Sequence, residues 1–249
     1  MIAMQSWEAA RGRKKALRKD TFEGHVTDFL ATHEKREPGP QAFLVEQDAR
    51  WVTPPHFHLE HQFQVVTAGS GAIGRHAVAP LTVHYAARET GYGPIDAGPQ
   101  GISYLTLRAT GDTGAWYLHK PGSRERMRAG LKREQQHGAP ARECTAAELA
   151  RLAQAEVEEL IAPREDGLAA YMVRIGPGLQ AAVPPRQAHG GRYYVVTQGA
   201  ASLAGVTAAA MSVIFASTEE PHTLHSAAAG AEILILQFPR DSRAMEPVQ

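Results

Sequence analysis

One stretch of this chain is written twice. Residues 54–69 read PPHFHLEHQFQVVTAG and residues 184–199 read PPRQAHGGRYYVVTQG, a constant offset of 130 with six of sixteen positions identical. A second block follows in the same order: AGPQGISYLTLR at 97–108 is answered by SAAAGAEILILQ at 226–237, offset by 129. A period this long marks a duplicated domain, because solenoid units run to only roughly 20–50 residues. Each copy is a set of short β-branched or aromatic runs. QAFLVEQ, QFQVVTA, LTVHYAA and ISYLTLRA stand in the first, and YMVRI, RYYVVTQ, MSVIFA and AEILILQF in the second. Glycine- and proline-containing segments separate most of them, a texture that predicts an all-β sandwich or barrel for each copy.

The sequence outside the copies has another texture. RGRKKALRK at 11–19 holds six cationic residues in nine and predicts a helical, solvated N-terminal arm over residues 1–40. SRERMRAGLKREQQH and TAAELARLAQAEVEELIA are built of good helix formers and predict a helical linker over residues 121–165. Thr145 with Glu148 forms a capping-box pattern, and Pro163 stops the second helix. The domains expected are therefore the arm, a barrel over 41–120, the linker, and a second barrel over 166–249.

Bulk properties narrow the partners. Lys+Arg and Asp+Glu balance at 26 each, so no nucleic-acid partner is expected. Mean hydropathy is −0.30, and no apolar run reaches the roughly 18–20 residues of a span, so no membrane partner is expected either. The single cysteine, Cys144, excludes an intrachain disulfide framework and fits a reducing cytosol, which predicts a cytoplasmic protein. No phosphate-binding glycine loop and no nucleophile elbow is present.

The first copy resembles the first motif of the cupins: His-x-His, a carboxylate a few residues on, and a glycine after six more. His56 and His58 fill the histidine places and Gly69 the glycine place. Gln62 stands seven before Gly69, where the family usually has glutamate. The second cupin motif falls on ETGYGPIDAGPQG, with its histidine place on Tyr92. The resemblance is specific in the first copy and degraded in the second. It implies a bicupin, two antiparallel jelly-roll barrels in tandem, with helical segments before and between them.

On a strand, residues two apart share a face. His56 and His58 therefore point together, as do Gln62 and Gln64, and in a small barrel one face is the interior. Two imidazoles and an amide oxygen are then expected to meet on one divalent transition metal, Fe, Mn, Zn or Ni. For the fourth ligand His84 is the best histidine, with His76 behind it. Tyr92 either ligates, lines the pocket or moves a proton. Glu60 is the rival to Gln62. A neutral amide in place of a carboxylate leaves the ion's charge uncancelled and strengthens its pull on an anion. The small-molecule ligand is accordingly expected to be an acid, with Arg88, Arg108 and Gln64 as substrate contacts.

In the second copy Arg186, Ala188 and Arg192 stand where the first has His56, His58 and Gln62, so that barrel is expected to be structural. An anion pocket on Arg186 and Arg192 is the alternative. The function expected is an enzyme acting on a small anionic or carbonyl compound through one metal site. The alternative is a non-catalytic ligand-binding bicupin, and a homodimer is expected because open barrel edges invite a partner subunit.

Overall fold

The structure is a computed structural model and describes residues 1–184, 190–217 and 222–240. The chain divides into two compact units, one over Glu8–Pro140 and the other made of Met1–Trp7 with the chain from Ala141 onward. Both are antiparallel β-barrels.

In the first unit the sheet runs Gln135–His137, Val83–Ala86, Gln62–Ile73, Ile95–Arg108, Gln41–Gln47, Phe22–Leu30 and Lys15–Lys19 in spatial order. Register decides which side chains look inward. Tyr104 faces Val45 on one side and Val66 on the other, and Thr106 faces Phe43 and Gln64. Gln64 in turn faces His84. The inward rows thus change along the strands. Phe22, Val26, Phe43, Val45, Val66 and Tyr104 build an apolar core toward one end. Gln41, Gln62, Gln64, His84 and Arg108 leave the other end polar yet buried.

Gly69 shows why the repeat keeps its glycine. Its φ is +73°, and a Cβ there would stand 2.2 Å from the Gly101 carbonyl oxygen. The duplicate, Gly199, has φ +70° and would meet the Gly230 oxygen at 2.1 Å. Both lie where the ladder slips register, between Ala97 and Ile102 in one unit and between Gly199 and Ala201 in the other. A left-handed backbone pressed against a facing carbonyl admits only glycine.

The second unit's sheet runs Ile2–Gln5, Val213–Ala216, Arg192–Leu203, Thr223–Gln237, Ala169–Ile175 and Glu156–Ile161. Its interior holds an apolar cluster that includes Tyr171, Val173, Tyr194, Val196, Ile233 and Ile235. Arg174 is buried on two carboxylates, Glu232 at 2.8 Å and Glu158 at 2.7 Å.

The helices expected around the barrels are corrected. Of the arm, only Trp7–Ala10 and a 3-10 turn at Arg11–Arg13 are helical. Lys15–Lys19 is a strand paired with Phe22–Leu30, and Ile2–Gln5 is a strand of the second unit's sheet. The linker holds a 3-10 turn at Arg124–Arg126, the helix Ala146–Leu149 and strands at Gln135–His137 and Glu156–Ile161. Thr145 and Glu148 do form the capping box, but on a single turn. The physical reason is the same in each case. Helix propensity differs by less than about 1 kcal/mol per residue among these side chains. A ladder of backbone hydrogen bonds to an adjacent strand outweighs it. Lysines on Lys15–Lys19 suit an edge, where charge discourages further pairing.

Candidate functional site

The first barrel holds a cavity of about 350 Å³ bounded by part of its apolar core and by its polar residues. Short local structure brings the histidines to it. His56–Phe57 pairs with Trp116–Tyr117, and His56 also bridges to Tyr92 through both backbone groups. His56, His58, Tyr92, Gln64 and Arg108 line the cavity together with Thr106 and Tyr104. Leu17, Phe22, Val26, Phe43 and Val45 form apolar wall, Tyr117 adds an aromatic face, and Lys19 and Glu34 lie on the lining too.

A directed chain of hydrogen bonds runs behind this lining. Arg108 donates from Nε and Nη2 to Gln62 Oε1, at 3.2 and 3.0 Å. Gln62 Nε2 donates to the Tyr92 hydroxyl at 2.5 Å. His56 Nδ1 is 2.8 Å from the Pro54 carbonyl oxygen, which can only accept, so that nitrogen carries the proton. His56 Nε2 then accepts from the Tyr92 hydroxyl at 2.8 Å. Every donor in the chain meets an acceptor. Arg108 is further anchored by Nη1 donating to Gln41 Oε1 at 2.5 Å.

His58 sits beside this chain. Its Nδ1 is 3.0 Å from the Gly114 carbonyl oxygen and 3.3 Å from Asp112 Oδ2. Two acceptors place the ring proton on Nδ1, so the approach of Arg108 Nη2 at 3.0 Å is proximity and not donation. Burial, and then the Arg108 charge, push His58 down to about 4. Burial and the neighbouring His58 ring push His56 down to about 3. Burial raises the Tyr92 phenol beyond its ordinary range, outweighing the lowering effect of Arg108. Burial works to raise Asp112, but the His58 hydrogen bond and the charge of Arg108 hold it at about 2. At neutral pH both imidazoles and the phenol are uncharged, Arg108 is a cation and Asp112 an anion.

Of the expected site residues, His56, His58, Gln62 and Tyr92 come together. Tyr92, and not His84, stands beside His56 and Gln62. His84 lies one strand over, its Nδ1 2.9 Å from Gln64 Oε1 and its Nε2 3.2 Å from Gln135 Oε1, meeting Tyr92 only ring to ring at 5.2 Å. Burial and the nearby His137 push it to about 3. His76 stacks on His137 in a separate cleft that also holds Gln135. Glu60 pairs with Arg36 at 3.0 Å and is not part of the cavity lining. Arg88 is buried with its backbone N–H near His61, and it too is absent from that lining, whereas Arg108 and Gln64 are on it. Sequence reasoning missed Gln41 and Asp112. Gln41 was readable from its parity with Phe43 and Val45, but Asp112 lies in a loop that carries no pattern. In the second unit, Arg186, Ala188 and His189 lie outside the described residues. Arg192 is 1% exposed and donates to Gln237 Oε1 at 2.5 Å and to the Pro184 carbonyl oxygen at 3.2 Å.

These residues do not fit a divalent metal. The four gathered side chains are all neutral, and none supplies an anionic oxygen. The lone pair of His56 Nε2 accepts the Tyr92 proton, and Gln62 Oε1 is held by a guanidinium. An ion bonded to that oxygen would stand within roughly 5 Å of a full positive charge, a repulsion of about 6–7 kcal/mol at an effective dielectric of ~20. Among the described residues no group of three or more His, Cys, Asp or Glu side chains is arranged to hold a metal ion.

No protein-family model matches the sequence, and no curated protein sequence matches it. Solved structures do. The 11S allergen of Cocos nucifera superposes with a TM-score of 0.61 at 8% identity, over 96% of this chain and 89% of that one. The oxalate decarboxylase of Lactobacillus farciminis, solved as a formate complex, gives 0.60 at 13% identity over 98% and 90%. The bacterial pirin of Escherichia coli, solved with nickel(II), gives 0.56 at 11% identity over 96% and 99%. No helix of the described residues is long and apolar enough to cross a membrane. Two antiparallel barrels, a repeat that runs through both, and these likenesses over nearly the whole chain establish the fold as a bicupin fold.

Proposed function

We propose that this bicupin is a binding protein for a small organic anion, taken into the cavity of the first barrel with its acidic group toward Arg108. The observation that carries the reading is a guanidinium on the cavity lining, 1% exposed and flanked there by neutral imidazoles and a neutral phenol, while Asp112, the anion that feels its charge, is off the lining. Apolar walls and three tyrosines fit a ligand with an apolar or aromatic body. The volume suits a compound of metabolite size.

Binding is favoured over catalysis because the imidazoles and phenol gathered beside Arg108 are not tuned for work near neutrality. General acid–base groups are most effective when their pKa lies near the working pH. His56 at about 3 and His58 at about 4 are far below it, and the Tyr92 phenol is far above. The liganded oxalate decarboxylase and nickel pirin show that this fold accommodates small acids and metals in other chains, which keeps an enzyme as the second reading.

The test is calorimetric titration of the full chain with aliphatic and aromatic monocarboxylates and with the corresponding primary alcohols. Acids are expected to bind and alcohols not, with the best acid losing about tenfold or more in affinity in Arg108→Met, since a charge-assisted contact contributes roughly 1.5–3 kcal/mol. Equal binding of acid and alcohol overturns the reading. Should Arg108→Met fail to fold, the wild type is titrated with the methyl esters of the same acids, which keep the carbonyl and lose the charge, and ester binding equal to acid binding counts against it.

A further inference from the structure

The repeat makes a comparison possible inside one molecule. Offsets of 130 and 129 carry Gln62 onto Arg192 and Arg108 onto Gln237. In the first barrel an arginine on Ile95–Arg108 donates to a glutamine on Gln62–Ile73. In the second an arginine on Arg192–Leu203 donates to a glutamine on Thr223–Gln237, and the two are register partners. The same two strand positions hold the same two residue types with their places exchanged. All four side chains are at most 3% exposed. Each glutamine passes the contact on: Gln62 Nε2 donates to Tyr92, and Gln237 Nε2 to the Gly167 carbonyl oxygen.

We infer that a guanidinium–glutamine pair is the resident cation of each barrel, standing where the cupin resemblance puts a metal centre. A buried charge is expensive to desolvate and is tolerated only when its hydrogen bonds are met. Each barrel answers its charge with an amide oxygen on the facing strand: Arg108 donates to Gln62 and Gln41, and Arg192 donates to Gln237 and to the Pro184 carbonyl oxygen. At these two positions the arginine stands on one strand and a neutral amide on the facing strand. That accounts for Gln62 in the place where the family's motif has glutamate. Its amide offers the oxygen that receives Arg108 and also the N–H that holds the Tyr92 hydroxyl, and a carboxylate offers only the first. Tyr92 in the fourth ligand place follows from the same arrangement, since a phenol can accept from Gln62 and donate to His56 at once.

The experiment offers Ni(II), Zn(II) and Mn(II), one at a time, to full-length untagged protein stripped with a chelator, and reads metal per chain after desalting. The wild type is expected to retain far less than one equivalent of each. The variant Gln62→Glu/Tyr92→His/Arg108→Gln supplies a carboxylate and a third imidazole and removes the guanidinium, and it is expected to retain about one ion per chain. Gln62→Glu/Tyr92→His with Arg108 kept is expected to bind at least tenfold more weakly than the triple variant. Stoichiometric metal in the wild type, lost on His56→Ala/His58→Ala, overturns the inference and requires no variant that gains a function. Equal metal affinity with and without Arg108 also overturns it. Exchange of metal for guanidinium stands whether or not the cavity takes an acid, so failure of the acid titration and failure of the metal test are read separately.

Discussion

Three histidines of the first barrel are almost entirely removed from water, and their protonation sets a pH limit on the fold. His56, His58 and His84 have folded pKa values of about 3, 4 and 3, against an ordinary value of 6.5. The folded state therefore binds these protons less readily than the unfolded chain does. Stability is full above about pH 6.5 and falls as the pH drops toward 4, by roughly 1.4 kcal/mol per pH unit for each histidine that protonates on unfolding. Urea denaturation at pH 7.5 and pH 5 is expected to show a marked loss at the lower pH. His84→Gln, which keeps a polar group between Gln64 and Gln135 without a titrating ring, is expected to shrink that loss by about a third of the three-histidine contribution. Equal stability at the two pH values would show that these rings are not held neutral. Which histidines are buried was only partly legible. The i, i+2 spacing of His56 and His58 fixed a common face. That Tyr92 and not His84 joins them depends on a backbone bridge between His56 and Tyr92 that no local pattern signals.

At the scale of strands, the barrel tolerates its buried arginine because the partner is on the adjacent strand. This makes the Gln62–Arg108 pair transferable as a unit. Gln62→Arg alone places two guanidiniums side by side, and Arg108→Gln alone removes the guanidinium that donates to Gln62 and Gln41. Each is expected to cost roughly 3–5 kcal/mol. The double exchange Gln62→Arg/Arg108→Gln reproduces the arrangement of Arg192 and Gln237, and it is expected to recover at least about 2 kcal/mol of the summed loss in a double-mutant cycle. Additive losses would deny that the pair acts as one element. The strand runs themselves were read correctly from β-branched alternation and turn residues. The basic and alanine-rich segments were not, because their composition is that of a helix. Lys15–Lys19 and Glu156–Ile161 each take a place at the end of a sheet, and sheet neighbours do not appear in a window of local sequence.

At the scale of the whole molecule, the order of residues along the chain and their assignment to barrels diverge. Ile2–Gln5 is paired residue for residue with Val213–Ala216, more than 200 positions away. The Ser217 backbone N–H adds a bond to the Met1 carbonyl oxygen at 3.0 Å. A chain lacking residues 1–6 would leave Val213–Ala216 as an open edge. It is expected to lose roughly 2–4 kcal/mol from the second unit, about 1 kcal/mol for each ladder hydrogen bond. Hydrogen exchange read by mass spectrometry is expected to show faster exchange over Val213–Ala216 and unchanged protection over Gln41–Gln47. Unchanged protection over Val213–Ala216 would mean that the N-terminal strand contributes nothing to the sheet.

The sequence by itself determined the duplication, the all-β class, the common face of His56 and His58, and the place of the glycine at 69 and 199. Each of these is written as a period or a repeated word, and short-range geometry converts such patterns into structure. The tertiary structure alone decided that Arg108 lies against Gln62, that of the two candidates Tyr92 and His84 it is Tyr92 that closes the group, and that the outermost strands come from segments with a helix-like composition. Those outcomes depend on pairings between residues far apart in the chain, where a hydrogen-bond ladder and the cost of burying a charge outweigh what any local stretch prefers.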